Sequence, residues 1–396
     1  MAAGQSVKAL LALLAATAVV TLAAPARAEP AGPPAGCKTE RGWTFRDWVT
    51  PEYDLPERSW IAWSPSKVPY TDATGNTRQV PLVFEADIAP HIGIVGLAAW
   101  GHPHVQCGWR WKLSWVFTPE VRLRMLDAYS APVIPPSFMP RPFQFQVLGR
   151  RFVPDDSDSE RGNGMEEDYV VTITAWGHHS NGQTGCFYRN QTFDPTTMSC
   201  SPVGNGPLNE RDGSFSTNYL ELAAGYRRAW RATLAQGPEN GLFVDTGLQY
   251  HPLDYLPGGQ DAEQAALWGR WHYWAHGELT QTVGPCRGLF EVNVQKVLDR
   301  VVPASQGGPE HTTTVRGQAS LLMPEWLGTG LFVMGEYGQD TYNILFTQTV
   351  KRVLVGFVVD WSRGVARPRQ LHDDTPVPAA TRQPGAPPPT AGAAPY

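Results

Sequence analysis

Segments of about ten residues in which apolar and polar side chains alternate are the feature that most constrains the fold of this chain. In one of them every second residue is apolar and the residues between are polar: Phe290, Glu291, Val292, Asn293, Val294 and Gln295. Successive side chains of a strand point to opposite faces, so the pattern predicts strands with one apolar and one polar face. The helical period is not sustained anywhere beyond residue 28. We therefore expect an all-β fold.

Residues 220–227, 242–249 and 353–361 repeat this alternation. Charged and amide groups on their polar faces are typical of the lumen of a transmembrane barrel. Aromatic residues lie near segment ends, where a barrel meets the membrane surface: Trp230, Tyr250, Trp271, Trp274, Trp326 and Trp361. We predict an antiparallel transmembrane β-barrel. A secreted β-sandwich that binds sugar through some of the fifteen tryptophans is the alternative, because a half-buried soluble sheet has the same period.

The chain begins with the features of a secretory signal. Lys8 provides a positive charge, residues 9–24 are apolar, and Ala26-Arg27-Ala28 is a small-residue cleavage site. The apolar stretch is short for a membrane-spanning helix, so we expect export and cleavage rather than an anchor. The predicted organisation is a signal peptide (1–28), an N-terminal extension (29–57), a barrel (58–364) and a disordered tail rich in Pro and Ala (365–396).

Charge and cysteine content narrow the function classes. The net charge of −5 and the lack of a Lys/Arg run argue against nucleic-acid binding. Export permits disulfides, and Cys186 and Cys200, which flank a stretch rich in Gly, Pro and Asn, are the predicted pair. The five cysteines leave at least one thiol unpaired or bonded to another chain. Two close histidine pairs are interpreted as structural rather than as zinc ligands: His102 with His104, and His272 with His276.

A candidate nucleophile and its general base lie two residues apart at the end of a predicted strand. Residues 168–176 are strand-like and lead into His178 and Ser180. Side chains at i and i+2 of a strand project from one face, which brings a hydroxyl and an imidazole close enough for nucleophilic catalysis. Asn218, at the start of the next strand-like run, is a candidate for the group that orients the imidazole. It shares its phase with an apolar, lipid-facing strip, where an unpaired amide would be costly.

At these positions the chain resembles the outer-membrane phospholipase A family. The family patterns H-x-S-N-G and S-x-S-x-N match seven positions: His178, Ser180, Asn181 and Gly182, then Ser214, Ser216 and Asn218. Residues 336–349 resemble the segment that leads into the family's last strand, and residues 80–92 are similar to an early strand. The resemblance covers residues 58–361 and implies a twelve-stranded antiparallel barrel in the outer membrane of a Gram-negative cell.

The resemblance also implies an activity, a cofactor and a partner. The activity is calcium-dependent hydrolysis of acyl esters of glycerophospholipids, with A1, A2 and lysophospholipase specificities left open. Ser180 would be the nucleophile, His178 the general base and Asn218 the orienting group. The Ser214 hydroxyl and the Gln183 carbonyl would bind Ca²⁺, which prefers oxygen ligands.

In the family the active form is a homodimer, and the partner subunit supplies a further calcium ligand. The sequence does not place that ligand, although Ser130 and Ser137 lie in the corresponding region. His178 and Asn218 stand 40 positions apart, which predicts an inserted exterior loop over residues 183–213. His179 should face away from Ser180 and receives no role. The alternative function is a non-catalytic outer-membrane barrel, a channel or a structural protein, with a degenerate site.

Overall fold

The computed structural model describes residues 43–71, 76–102, 108–127, 133–154, 163–197, 199–201, 206–233, 240–253, 259–299, 301–323 and 328–360. Several sequence-based predictions concern residues outside these ranges: the signal peptide (1–28), the tail (365–396), Cys37, Cys107, His104, Ser130, Trp326 and Trp361. Within the described ranges, no helix is long and apolar enough to cross a membrane.

Strands dominate the described chain. In order they are β1 (Ser59–Trp63), β2 (Lys67–Thr71), β3 (Thr77–Ile88), β4 (Ile92–Gly101), β5 (Arg110–Thr118), β6 (Val121–Leu126), β7 (Val133–Phe138), β8 (Arg141–Pro154), β9 (Asn163–Ser180), β10 (Thr192–Asp194), β11 (Ser199–Ser201), β12 (Ser216–Thr233), β13 (Asn240–Tyr250), β14 (Trp271–Val283), β15 (Cys286–Val297), β16 (Thr313–Met323), β17 (Thr329–Gln339) and β18 (Thr349–Val359). The helices are α1 (Phe45–Val49), α2 (Ala262–Trp268) and two short 3₁₀ helices, Ala304–Gln306 and Asn343–Thr347.

These strands form one closed antiparallel barrel of twelve strands, as predicted. β3 and β4 follow one another along a single barrel strand. The pairing of β3 with β6 ends at Ile88, opposite Val121. The pairing of β4 with β5 begins at Ile92, opposite Phe117. In the same way β5 continues into β6, and β7 into β8. The barrel closes where β18 pairs with β1. β2 branches from β3, and β10 pairs with β11 in a separate hairpin.

The outer face of the barrel is apolar. Phe290, Val292 and Val355 are each more than half exposed, at 53, 54 and 54%. Their neighbours along the strand point inward: Leu354, for example, is fully buried. The predicted alternation of faces is therefore confirmed, and lipid would cover these outward strips.

Buried charged side chains occupy part of the lumen and pair across it. Arg124 of β6 binds Glu85 of β3 at 2.8 Å and Asp340 at 2.6 Å. Arg352 of β18 also binds Glu85 and lies 2.5 Å from Glu336 of β17. Removing one member of such a buried pair leaves an uncompensated charge, at a cost of about 3–5 kcal/mol. The network therefore fixes the relative positions of these four strands.

Residues 50–58, which we call the strap, precede β1 and cross the lumen. At one wall, the hydroxyl of Ser114 on β5 donates to the Glu52 carbonyl at 2.8 Å. At the far wall, Arg58 binds Glu278 of β14 at 2.6 Å. The strap therefore lies inside the barrel, where the charge of Arg58 meets opposite charges.

The loops that follow β9, β13 and β17 pack together over one end of the barrel. Their shared apolar core, here called the cap, consists of buried side chains: Phe187, Tyr188, Leu208, Phe215, Leu267, Trp268, Tyr342, Ile344, Leu345 and Phe346. Burial raises the pKa of Tyr188 to about 12, and the carboxylates of Glu263 and Asp261 add to the shift. The cap holds the long loop after β9 against the barrel.

The predicted disulfide joins Cys186 to Cys200, with the two Cα atoms 5.7 Å apart. It closes a 14-residue separation within the loop after β9. A link of this span contributes about 3 kcal/mol by restricting the unfolded chain. Cys286 at the start of β15 is a free thiol.

Candidate active site

A β-bulge in β9 decides which of its side chains face outward. Tyr219 of β12 pairs with Gly177, whereas Glu221 pairs with Thr174, so β9 carries one extra residue between these pairs. Before the bulge the even-numbered residues, such as Thr174, are buried in the lumen, and from Trp176 onward the even-numbered residues face outward. Bulges often re-aim side chains beside functional sites. The sequence alternation alone did not assign a lipid face to this strand, and the bulge is the reason.

His178 and Asn218 occupy directly paired positions of β9 and β12. Nδ1 of His178 lies 2.7 Å from Oδ1 of Asn218, and Nε1 of Trp176 lies 3.0 Å from the same atom. An indole N–H can only donate, so the atom that it meets is the amide oxygen. That oxygen therefore also accepts from the Nδ1–H of His178. The second ring nitrogen of His178, Nε2, keeps its lone pair and is available as a base.

Asn218 is fully buried although its strand phase is outward. Its two donors, His178 and Trp176, satisfy the oxygen. Pairing removes most of the cost of placing an amide in an apolar strip. Sequence reasoning missed the role of Trp176, and the available signal was an indole N–H two residues before His178 on the same strand.

Ser180 lies two residues beyond His178 on the same outward face. It is partly exposed and is paired with Ser216 of β12 and with Phe138 of β7. Within the described residues, no hydrogen bond joins its hydroxyl to the His178 ring. Catalytic hydrogen bonds are often long in the absence of substrate. The structure thus brings the three predicted catalytic residues to one outward patch, with the His178–Asn218 contact formed.

Asn181 ties together the two ends of the inserted loop. Its Oδ1 accepts from the backbone N–H groups of Gln183 (3.2 Å) and Phe215 (3.0 Å), and its Nδ2 donates to the Gly213 carbonyl (2.8 Å). The side chain is almost completely buried. The sequence analysis gave Asn181 no role beyond its place in a motif, because only the folded loop shows which backbone groups it reaches. These three hydrogen bonds of Asn181 hold Gln183 and Ser214 on adjacent segments.

Gln183 and Ser214 are the predicted calcium ligands. The N–H of Ser214 donates to the Gly185 carbonyl at 2.7 Å, and the N–H of Gly185 donates to the Asp212 carbonyl at 3.0 Å, which aligns the two segments. A carbonyl and a hydroxyl oxygen suit a hard cation such as Ca²⁺. The Gln183 carbonyl oxygen and the Ser214 hydroxyl oxygen would supply two ligands of a calcium shell, which needs about six to eight oxygens in all.

Behind this patch, the inward side chains form a polar layer. Nε2 of His179 lies 2.7 Å from the hydroxyl of Ser137, and Nδ1 of His251 lies 2.9 Å from the hydroxyl of Thr217. Burial lowers the pKa of His251 well below its usual value. His179 points away from Ser180, as expected. Ser137 is buried against His179 and is not placed to serve a neighbouring subunit at an outward site.

Residues 336–349, the third motif, support the site loop from inside. Asp340 belongs to the lumenal charge network, and Tyr342 belongs to the cap. Nε2 of Gln348 donates to Oε1 of Glu210 in the loop after β9 at 2.9 Å. The motif therefore stabilises the loop rather than contributing a reacting group.

A second group of metal-binding residue types lies in the lumen. Ligand atoms of His276, Glu278 and Glu291 lie within 4.8 Å of one another. Arg58 of the strap pairs with both carboxylates, and Asp245 lies 2.8 Å from Nδ1 of His276. Protein groups already compensate these charges, so we interpret the cluster as structural.

Fold and site together define the class: a transmembrane β-barrel with an outward-facing Ser-His-Asn arrangement. Among solved structures, the outer membrane phospholipase A of Escherichia coli is similar, with 10% identity, a TM-score of 0.38, and coverage of 77% of this chain and 93% of that chain. The calcium-bound dimer of the Salmonella typhi outer membrane phospholipase has 11% identity, a TM-score of 0.41, and coverage of 77 and 91%. Likenesses this distant carry no residue role or activity over to this chain. No family model and no curated protein matches the chain.

Proposed function

We propose that the protein is a calcium-dependent phospholipase of the Gram-negative outer membrane that hydrolyses acyl esters of glycerophospholipids. The observation that carries the proposal is the 2.7 Å contact between His178 Nδ1 and Asn218 Oδ1. It fixes the imidazole with its basic nitrogen available, on the same face as Ser180. A hydroxyl, a base and an orienting group on one patch are the parts that acyl transfer needs.

In the proposed reaction the Ser180 hydroxyl attacks the ester carbonyl carbon while its proton moves to Nε2 of His178. The ester C–O bond then breaks, and the imidazolium returns the proton to the leaving alcohol of the lysophospholipid. Water attacks the acyl-serine next, and His178 takes a proton from the water and returns it to Ser180 as the fatty acid leaves. Asn218 keeps the ring plane and the tautomer fixed throughout, with Trp176 holding the amide in place.

The site's position suits a lipid substrate. Aromatic rings lie around it on the outer surface: Trp176 stacks on Phe143, and Phe143 stacks on Trp115, with ring centroids 6.0 and 6.2 Å apart. Tryptophan rings, which are amphipathic, gather at the level of lipid headgroups. A phospholipid in the same leaflet would reach Ser180 by lateral diffusion.

The Gln183 carbonyl and the Ser214 hydroxyl would hold Ca²⁺ in this proposal, with water filling further positions. When bound, the cation would stabilise negative charge on the substrate carbonyl oxygen. The two protein oxygens leave the shell incomplete, and the outward patch is accessible to a neighbour in the membrane plane. A two-fold homodimer with a ligand from each partner is therefore part of the proposal.

The test is fatty-acid release from phospholipid by the purified full chain, with calcium and with chelator. Calcium-dependent release that requires Ser180 supports the proposal. A folded barrel that releases no fatty acid under any of these conditions would instead be the non-catalytic alternative. A channel is disfavoured, because the strap and the charge network occupy the lumen.

A further inference from the structure

A row of aromatic side chains crosses five neighbouring strands on the outer face of the barrel. Its five positions are directly paired from one strand to the next: Trp100 of β4, Trp111 of β5, Gly149 of β8, Tyr169 of β9 and Tyr226 of β12. The rings of Trp100 and Trp111 stack at 6.2 Å, and those of Tyr169 and Tyr226 lie 4.9 Å apart. A Cβ at position 149 would lie 2.3 Å from the Trp111 ring, so only glycine leaves room for that ring. We call these residues the aromatic row.

The aromatic row lies about one membrane thickness from the candidate active site. Tyr169 and Ser180 stand 11 positions apart on β9, and the bulge removes one of these steps. About ten residues at 3.3 Å each, in a strand tilted by about 40°, rise roughly 25 Å, which is the height of the apolar band of a transmembrane barrel. The outward residues of β9 and β12 between the two levels are apolar: Val171, Ile173, Leu220, Leu222 and Ala224. The aromatic row therefore lies at the membrane surface opposite Ser180.

Two arginines and one glutamate form a second outward row, two positions further from the cap. Arg151, Glu167 and Arg228 are again directly paired across β8, β9 and β12. Both carboxylate oxygens of Glu167 already have protein donors: Oε2 binds Arg151, and Oε1 accepts from the hydroxyl of Tyr226 at 3.0 Å. This charged row thus carries one positive charge in excess, at the edge of the apolar band.

Arg228 holds the excess charge. Its side chain is exposed, its Nε donates to Sδ of Met165 at 2.9 Å, and no carboxylate of the described residues lies within ion-pair distance of it. Arg151 lies over the ring of Trp109, 4.9 Å from its centroid, and that ring lies 5.1 Å from Tyr169 in the aromatic row. Guanidinium groups at the level of the lipid headgroups are placed to bind phosphate oxygens, with which they form strong paired hydrogen bonds.

We propose that the charged row binds the phosphate of an anionic glycerophospholipid in the leaflet opposite the candidate active site. Arg228 contacts the phosphate, and Arg151 lies two strand spacings away, about 10 Å, on the other side of Glu167. The acyl chains of the lipid lie along the apolar strip beyond the aromatic row. A phosphocholine headgroup adds an ammonium for which Glu167 has no unpaired oxygen, so a net anionic headgroup is preferred. The inference does not depend on ester hydrolysis.

Competition between two lipids tests this inference. The full-length Ser180→Ala protein, which does not consume its ligand, is released from mixed micelles that contain equal amounts of phosphatidylglycerol and phosphatidylcholine with identical acyl chains. Native mass spectrometry then counts the lipid that stays bound. We expect retention of phosphatidylglycerol in preference to phosphatidylcholine. Arg228→Gln and Arg151→Gln should each lower this ratio about fivefold, the effect of one basic residue beside anionic lipid.

The controls separate a defined site from general attraction between charges. Arg228→Lys keeps the charge and should keep most of the preference. Arg78→Gln removes an exposed arginine that lies over the Tyr70 ring at the cap end of β3, and it should leave the ratio unchanged. Added salt should reduce the preference of the unsubstituted row, because it screens exposed charges. Equal retention of the two lipids by the Ser180→Ala protein would overturn the site. A loss in Arg78→Gln as large as that in Arg228→Gln would also overturn it.

Discussion

His178 donates through Nδ1 to the amide oxygen of Asn218, 2.7 Å away, across a directly paired position of β9 and β12. Trp176 donates to the same oxygen at 3.0 Å. The two contacts fix both the orientation of the amide and the tautomer of the imidazole. The sequence placed these residues on adjacent strands, and the structure adds the pairing that lets one orient the other.

Asn218→Ala should lower the rate of ester hydrolysis by roughly ten- to a hundredfold, because an orienting group tunes the base without reacting itself. Trp176→Phe should lower it less, because the indole donor acts only through Asn218. The measurement is kcat on a phospholipid in micelles. A loss in Asn218→Ala as complete as that in Ser180→Ala, in a barrel that still folds, would mean that Asn218 has another role.

Asn181→Ala should loosen the inserted loop, because three backbone groups lose their partner. Each buried group left unpaired costs about 1–3 kcal/mol. Limited proteolysis should cut the loop over residues 183–213 faster than in the parent protein. Asn190→Ala, at an exposed position of the same loop, is the control. Equal cleavage of the two variants would argue against the proposed role of Asn181 in holding the loop.

Calcium removal should stop hydrolysis, and Ser214→Ala should raise the calcium concentration that gives half-maximal activity. The physical reason is the loss of one oxygen from a shell that the chain fills only in part. Titration of activity with Ca²⁺, together with direct measurement of calcium binding, checks both. Unchanged half-activation in Ser214→Ala would remove that residue from the calcium site.

Arg58→Met should destabilise the barrel by about 3–5 kcal/mol, because Glu278 and Glu291 lose their buried cation. The temperature at which the heat-modifiable band disappears in unboiled gels is the readout. Arg46→Met changes an exposed residue of α1 and should leave that temperature unchanged. If the two variants behave alike, the strap does not depend on its lumenal ion pairs.

The barrel itself was predictable from the sequence, because Phe290 and Val292 repeat a period of two that lipid on one side and a lumen on the other both require. The outward direction of His178 could not be predicted from the sequence. One extra residue in β9 shifts which side chains face outward, and residue composition does not reveal such a bulge. The strap was also missed. Its lumenal position depends on partners such as Glu278, more than two hundred residues away from Arg58.

The most direct measurement is calcium-dependent release of fatty acid from a glycerophospholipid by the parent protein and by Ser180→Ala, with barrel folding followed by gel mobility. We predict release by the parent protein that a chelator stops, and release at background level by a normally folded Ser180→Ala protein, several orders of magnitude lower. Turnover near that of the parent protein in folded Ser180→Ala would contradict the account.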